Sequence, residues 1–339
     1  MITHVGIIGE GRMGTNLFHY ISGFPYKMRW IVSPEADVDK LQRTWSKKVL
    51  RNLNTNIIDR TTADRLNRVV ITTDPEALCD CGLVIEAIPE EVSLKKALFS
   101  RIDGIVPTDC ILASNSSSIL PSLLIPSEEK ASSVIGLHFF YPVALKNLVE
   151  LVVTKQTSPD VVTTAKAFLS DIGRRYFLQP EDQAFLFNRI FLEFQSAVWE
   201  MVSEGLFSAR QMDQFVHQRF FPLGVFECFD AVGLDVMLPA IRHYSVDFPS
   251  GTDHDSLIKT LEAMVADGRL GVKSGRGFFD YPDETDTGDD LLRNVSPEVL
   301  SRAEEHLRTI LHDAMEQFSR DLSYSREEIE AGLQEYAGM

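Results

Sequence analysis

The chain has 339 residues, enough for two domains, and carries 49 acidic against 33 basic residues, a net charge of −16. Hydrophobic residues at 44% and charged residues at 24% mark a folded globular protein and exclude disorder, collagen and coiled-coil arrays as its main character. The acidic balance excludes non-specific binding to nucleic acid or anionic membrane, both of which need positive surface.

Residues 5–8, 30–32, 69–71, 83–85, 111–113, 134–137 and 148–153 are short, branched-rich apolar runs bounded by turn residues, the pattern of buried strands. Helical patterns at 13–21, 93–102 and 160–172 lie between them. This alternation predicts a mainly parallel sheet with helices on both faces. Residues 178–182 (Leu-Gln-Pro-Glu-Asp) read as a connector. Residues 184–204 follow as one long helix, apolar over most of its girth and therefore buried within a domain or a dimer interface. Few strand signals come after it, so the second region reads as helical.

Residues 283–290 form an acidic loop, and Ser296-Pro297-Glu298 opens a further helix with a cap, proline at the first turn and an early acid. Ser325-Arg326-Glu327-Glu328 is a capping box for a last helix. This tail resembles the helical region weakly at an offset of 117: Ala197 matches Ala314, Ser208 matches Ser325, Met212 matches Ile329 and Asp213 matches Glu330. A partial duplication explains the match, and so do two unrelated amphipathic helices. The expected domains are thus 1–182, 183–282 and 283–339.

No apolar run reaches the roughly 18 residues of a membrane span. The chain enters its first strand without a signal-peptide pattern, so a reducing cytoplasm is expected. Four cysteines are too few for a disulfide scaffold, and Cys79 and Cys81 have no Cys/His cluster around them, so no metal site is expected.

Gly9-Glu10-Gly11-Arg12-Met13-Gly14 follows the first strand and opens a helix. The first glycine permits a tight turn, the second lets backbone approach a pyrophosphate, and the third lets helix pack on strand. The N–H groups at Gly11, Arg12 and Met13 and the helix dipole then face the phosphates. This is a dinucleotide-binding arrangement of Rossmann type, although a structural glycine turn has the same pattern. An acid should end the second strand and hold the ribose hydroxyls. Ser33 stands there instead, with Glu35 two residues on, so both NAD and NADP stay open.

His138 ends the predicted strand of Gly-Leu-His-Phe-Phe-Tyr-Pro, and Glu150 lies in the apolar strand Leu-Val-Glu-Leu-Val. Either Glu150 faces solvent at a sheet edge, or it pairs with His138 and raises its basicity. Residues 113–118 (Ala-Ser-Asn-Ser-Ser-Ser) end another strand at the carboxyl edge, where such sheets bind ligands and where serines also serve turns and caps. Asn188 lies in the long apolar helix, where a polar side chain needs a partner.

Together these residues resemble the 3-hydroxyacyl-CoA dehydrogenase family. The resemblance runs through residues 4–281 and rests on nine ordered motifs: GEGRMG, VIEAIPE, ASNSSS, GLHFFYPV, LVELV, FNR, FPLGVFE, DAVGLD and GVKSGRGFFDY. It implies a Rossmann-type domain followed by an all-helical C-terminal domain that forms a homodimer; residues 283–339, beyond the resemblance, read as an added helical tail. It implies His138 as general base, Glu150 as its electrostatic partner, and Ser117 and Asn188 as holders of the substrate oxygen. Glu90, Lys95 and Lys273 match cofactor-contact positions.

Several positions depart from the family pattern. Ser33 replaces the acid, Tyr141 stands where the motif has Asn, and Gln183-Ala184 replaces Pro-Gly before FNR. The arm between the second and third strands, which in the family is a basic helical pair that helps hold coenzyme A, is shortened. Lys40, Arg43, Lys47, Lys48 and Arg51 still make it basic. The expected activity is hydride transfer between a nicotinamide cofactor and C3 of a 3-hydroxyacyl thioester. The alternatives are the same chemistry on a carrier-protein-bound or small free hydroxy acid, or a nucleotide-binding protein of the same fold that has lost catalysis.

Overall fold

The computed structural model describes residues 2–245, 254–282 and 290–337. They divide into two compact units, Met1–Ala184 and Phe185–Met339.

The first unit is built on one sheet of β1 (His4–Ile8), β2 (Lys27–Ile31), β3 (Val70–Thr72), β4 (Leu83–Glu86), β5 (Ile111–Ser114), β6 (Val134–Phe139), β7 (Leu148–Val153) and β8 (Arg175–Pro180). The spatial order is β3-β2-β1-β4-β5-β6-β7-β8. Neighbours run parallel except β6 and β7, which are antiparallel. The helices of this unit are α1 (Arg12–Ile21), α2 (Val38–Asn54), α3 (Arg60–Leu66), α4 (Val92–Asp103) and α5 (Pro159–Asp171).

Strand side chains alternate between faces, so the unbroken apolar runs feed two cores. Val5, Ile7, Leu83 and Ile85 join Leu17 and Phe18 of α1 on one side. Ile8, Val84 and Leu112 join Phe99 and Ile102 of α4 on the other.

One strand was not expected. Residues 175–180, partly read as connector, pair in parallel with β7 at the sheet's edge. A proline at the end of an edge strand breaks no ladder, so Pro180 does not exclude it. The arm between β2 and β3 is the helical pair α2 and α3.

The second unit is helical over its described residues, with α6 (Leu186–Ser203), α7 (Ala209–Arg219), α8 (Val225–Val232), α9 (Leu234–Ser245), α10 (Asp255–Ala266), α11 (Pro297–Leu322) and α12 (Arg326–Ala337). Twelve of the residues of α6 are buried, including Arg189, Glu193 and Gln195. The cover includes the tail, since α11 and α12 both pack on α6. The described part of the tail therefore belongs to the helical unit. The acidic loop lies outside the described residues except for Asp290.

The offset of 117 reappears in the helix starts. Ser208 and Gln211 form the capping box of α7, and Ser325 and Glu328 exchange the same two hydrogen bonds at the start of α12. No helix among the described residues is long and apolar enough to cross a membrane.

Candidate active site

The glycine turn sits where the strand order reverses, between β1 and β4, the place at which such sheets leave a crevice. Gly9 has φ +112°, and a Cβ there would lie 2.6 Å from the Ala87 carbonyl. A Cβ on Gly14 would lie 2.2 Å from the Gly9 carbonyl, so the helix can approach only without one. Gly11 differs: nothing lies within 4 Å of its would-be Cβ. It is the N-cap of α1 and has no side chain to satisfy the first-turn N–H groups. In front of the turn opens a cleft of about 640 Å³, lined by residues 8–13, 31–34 and 87–89 and by Leu98 and Arg101.

Ser33 lines this cleft, but its hydroxyl is already engaged. It donates to Glu10 Oε1 at 2.6 Å, while the Ser33 N–H donates to Oε2 at 3.0 Å. A carboxylate therefore stands at the end of β2 after all, delivered by the glycine turn. Glu35, the other acid considered from sequence, is exposed.

His138 and Glu150 are direct partners in the β6–β7 register. His138 Nδ1 lies 2.6 Å from Glu150 Oε2, with His138 6% and Glu150 0% exposed. The second carboxylate oxygen accepts from Gln179 Nε2 of β8 at 3.1 Å. Gln179 is fully buried and was missed, because its strand was read as connector. The ring of Phe140 lies 4.4 Å from the imidazole.

The serine turn leaves β5 beside β6. Asn115 Oδ1 accepts from the Phe139 N–H at 3.0 Å, stapling the turn next to His138. Within residues 114–118 only Ser117 is partly exposed.

Glu90 holds the turn from outside. It accepts from the backbone of Ser117 and Ser118 at 3.2 Å, from the Ser118 hydroxyl at 2.7 Å and from the Ser116 hydroxyl. Desolvation pushes the Glu90 carboxyl up, but Lys95 and the two hydroxyls hold it below the ordinary carboxylate range. Lys95 is itself 1% exposed, with Nζ 2.8 Å from both Glu86 oxygens and 3.3 Å from Glu90 Oε2. Ser114 also donates to Glu86. In this structure Glu90 and Lys95 shape the serine turn.

The remaining expected residues are in the second unit. Asn188 lies in the first turn of α6, just after Phe185, whose φ of 62° is a left-handed conformation costly for a bulky side chain. Its amide donates to the Tyr244 hydroxyl at 2.7 Å and accepts from the Tyr336 hydroxyl at 2.9 Å. Lys273 pairs with Asp235. In the first unit, the Arg12 guanidinium lies 5.7 Å from the ring centre of Tyr141.

Comparison with known proteins decides the family. Residues 4–180 match the NAD binding domain of 3-hydroxyacyl-CoA dehydrogenase, and residues 185–281 match its C-terminal domain. The chain belongs to the 3-hydroxyacyl-CoA dehydrogenase family. It is therefore an oxidoreductase of the NAD-dependent type.

Among similar members, the 3-hydroxybutyryl-CoA dehydrogenase of Mycobacterium tuberculosis is 30% identical over 284 residues, 83% of this chain and 99% of that one. That of Bradyrhizobium diazoefficiens is 28% identical over 290 residues, 83% of this chain and 96% of that one. The crystal structure of (S)-3-hydroxybutyryl-CoA dehydrogenase from Ralstonia eutropha superposes with a TM-score of 0.72 at 29% identity, over 83% of this chain and 99% of that one. The dehydrogenase family models end at residue 281, so α11 and α12 lie beyond them.

The glycine turn fits NAD: Gly11 faces open space, the first-turn N–H groups have no side-chain cap, and the cleft begins at the turn.

Proposed function

We propose that this dehydrogenase interconverts a 3-hydroxyacyl-CoA thioester and its 3-keto form, with His138 as general base and acid. The observation that carries this reading is the buried His138–Glu150 pair. With a carboxylate at Nδ1, the imidazole keeps its proton there, and Nε2 is the atom that takes the hydroxyl proton from C3. Glu150 stabilises the imidazolium that results, and Gln179 keeps the carboxylate facing the ring. In the ketone-reducing direction the same Nε2 returns the proton. Bound NAD supplies the hydride acceptor.

The Ser117 hydroxyl, at the exposed point of the turn, is proposed to hold the substrate oxygen. Asn188 shares that role by family resemblance. Donors to a developing oxyanion are worth about 2.7–4 kcal/mol each. Gly9, Gly11 and Gly14 with the N–H groups of Arg12 and Met13 would hold the pyrophosphate. Ser33 would lie at the ribose, and Glu90 and Lys95 would serve the cofactor by family resemblance. Two similar relatives carry the name 3-hydroxybutyryl-CoA dehydrogenase, which favours a short acyl chain here. A homodimer of the helical unit would use faces of α6 other than those covered by α11 and α12.

The test is His138→Gln. Turnover of acetoacetyl-CoA with NADH is expected to fall at least about 100-fold, the scale of general-base loss, while calorimetric affinity for NADH is kept. A loss under about tenfold would reject the role. Carrier-bound and free 3-keto acids run beside the CoA ester identify the substrate class.

A further inference from the structure

The family's acid at the end of β2 is replaced by Ser33, yet a carboxylate occupies that place. Glu10 is the first variable residue of the glycine turn, a position usually treated as spacer. The backbone is fastened at Gly9 and at the Glu10 carbonyl. The Gly9 N–H donates to the Ile31 carbonyl at 2.9 Å, and the Trp30 indole donates to the Gly9 carbonyl at 2.8 Å. The Thr15 hydroxyl donates to the Glu10 carbonyl at 3.0 Å.

The side chain is fastened as well. Ser33 gives one donor to each oxygen, so the carboxylate cannot swing away from the end of β2 without losing two hydrogen bonds. An ionised carboxylate has about four acceptor sites, and Ser33 takes two. Acceptor capacity therefore remains, and both residues line the 640 Å³ cleft. The same cleft contains two cations, Arg12 and Arg101. A 2′-phosphate entering it would meet both attraction and repulsion, so the outcome depends on which charge stands at the ribose end.

We propose that Glu10, oriented by Ser33, is the specificity-determining residue of the dinucleotide site: it accepts the adenosine ribose hydroxyls and repels a 2′-phosphate. The acid has moved from the second strand to the glycine turn, and Ser33 is the positioning residue that makes the exchange work. Because neither oxygen needs a cation to hold it, its charge stays available to discriminate. Arg101, which also lines the cleft, then serves the rest of the nucleotide. The inference rests on dinucleotide binding at this turn and not on the His138 chemistry, so it can be tested without turnover.

The experiment is isothermal titration of NADH, NADPH, ADP-ribose and 2′-phospho-ADP-ribose into the full chain, wild type and Glu10→Gln. The wild type is expected to bind NADH at least about 100-fold more tightly than NADPH. Glu10→Gln keeps the size and the Ser33 donors' partner but removes the charge, so this ratio should fall at least tenfold, mostly through gain of NADPH. The ADP-ribose pair should show the same change. Ser33→Ala should lower the ratio by a smaller factor, since the backbone N–H still holds one oxygen.

A ratio unchanged within twofold in Glu10→Gln, with NADH still bound, overturns the assignment alone. A wild type that prefers NADPH also overturns it. A wild type that binds none of the four ligands overturns it together with the dehydrogenase reading.

Discussion

Tyr336 donates its hydroxyl to the amide oxygen of Asn188 at 2.9 Å, joining residues 148 positions apart in sequence. The other end of the same amide donates to the Tyr244 hydroxyl at 2.7 Å, so the two tyrosines fix which way the amide points. The Tyr336 ring also lies 6.0 Å from Phe187 and 5.8 Å from Phe191 on α6. A helix beyond the dehydrogenase family models thus orients a residue expected at the substrate oxygen. Tyr336→Phe keeps the ring packing and removes one hydrogen bond of about 1 kcal/mol. We expect kcat to fall about fivefold with NADH affinity unchanged, against a loss of about 100-fold or more for Asn188→Ala. Equal, small effects in both variants would remove Asn188 from the chemistry.

Lys95 is the only cation within reach of Glu86 among the described ion pairs, and both are almost fully sequestered. Lys95→Met leaves that carboxylate buried without its counter-charge, a cost of about 3–5 kcal/mol. The thermal midpoint should drop on the order of 10 °C. Glu90 adds a pH signature. Its carboxyl is held below the ordinary value of 4.5, so its stabilisation is fully present above that value and is lost as the pH falls through the lower folded value. In Lys95→Met the strongest attraction holding Glu90 ionised is gone, so acid unfolding should begin at higher pH. An acid-unfolding midpoint identical to that of the wild type would contradict this network.

Lys40, Arg43, Lys47 and Arg51 are exposed at helical spacing along α2, a basic stripe on a chain of net charge −16. Such a stripe raises the local concentration of an anionic substrate. Combined Lys40→Glu, Lys47→Glu and Arg51→Glu should raise KM for acetoacetyl-CoA about tenfold at low salt and by less at 0.5 M salt, where screening shortens to about 4 Å. KM for the uncharged N-acetylcysteamine thioester should not move. A parallel rise for both esters would argue against phosphate recognition there.

Burial sets the reactivity of the cysteines. Cys81 and Cys110 lie in the core, where desolvation pushes each thiol up to about 12, and Cys228 is pushed up to about 11. At pH 8 their thiolate fraction is on the order of 10⁻³ or less. Iodoacetamide should therefore modify exposed Cys79 first in the native protein, and all four sites only after unfolding. Early alkylation of Cys81 or Cys110, mapped by peptide mass, would show that the core opens in the native state.

Most of the strand pattern was legible in the sequence because buried parallel strands are continuous apolar runs. β8 was not, because an edge strand carries Arg175, Gln179 and Pro180 and has no such run. His138 and Glu150 stood out as a histidine at a strand end and a carboxylate among valines and leucines. Glu90 and Lys95 came from the family resemblance, but the pairing of Lys95 with Glu86 was not legible, since an ion pair between β4 and α4 has no sequence period.

By itself, the sequence determined the glycine turn, the order of the motifs and the chemistry-bearing residue types, because these depend on local backbone geometry and on spacing along one element. Only the tertiary structure decided that Gln179 backs Glu150, that Glu10 reaches Ser33 and that Tyr336 reaches Asn188. Each of these contacts joins elements distant in sequence, and strand order, register and helix packing alone bring them within hydrogen-bond distance.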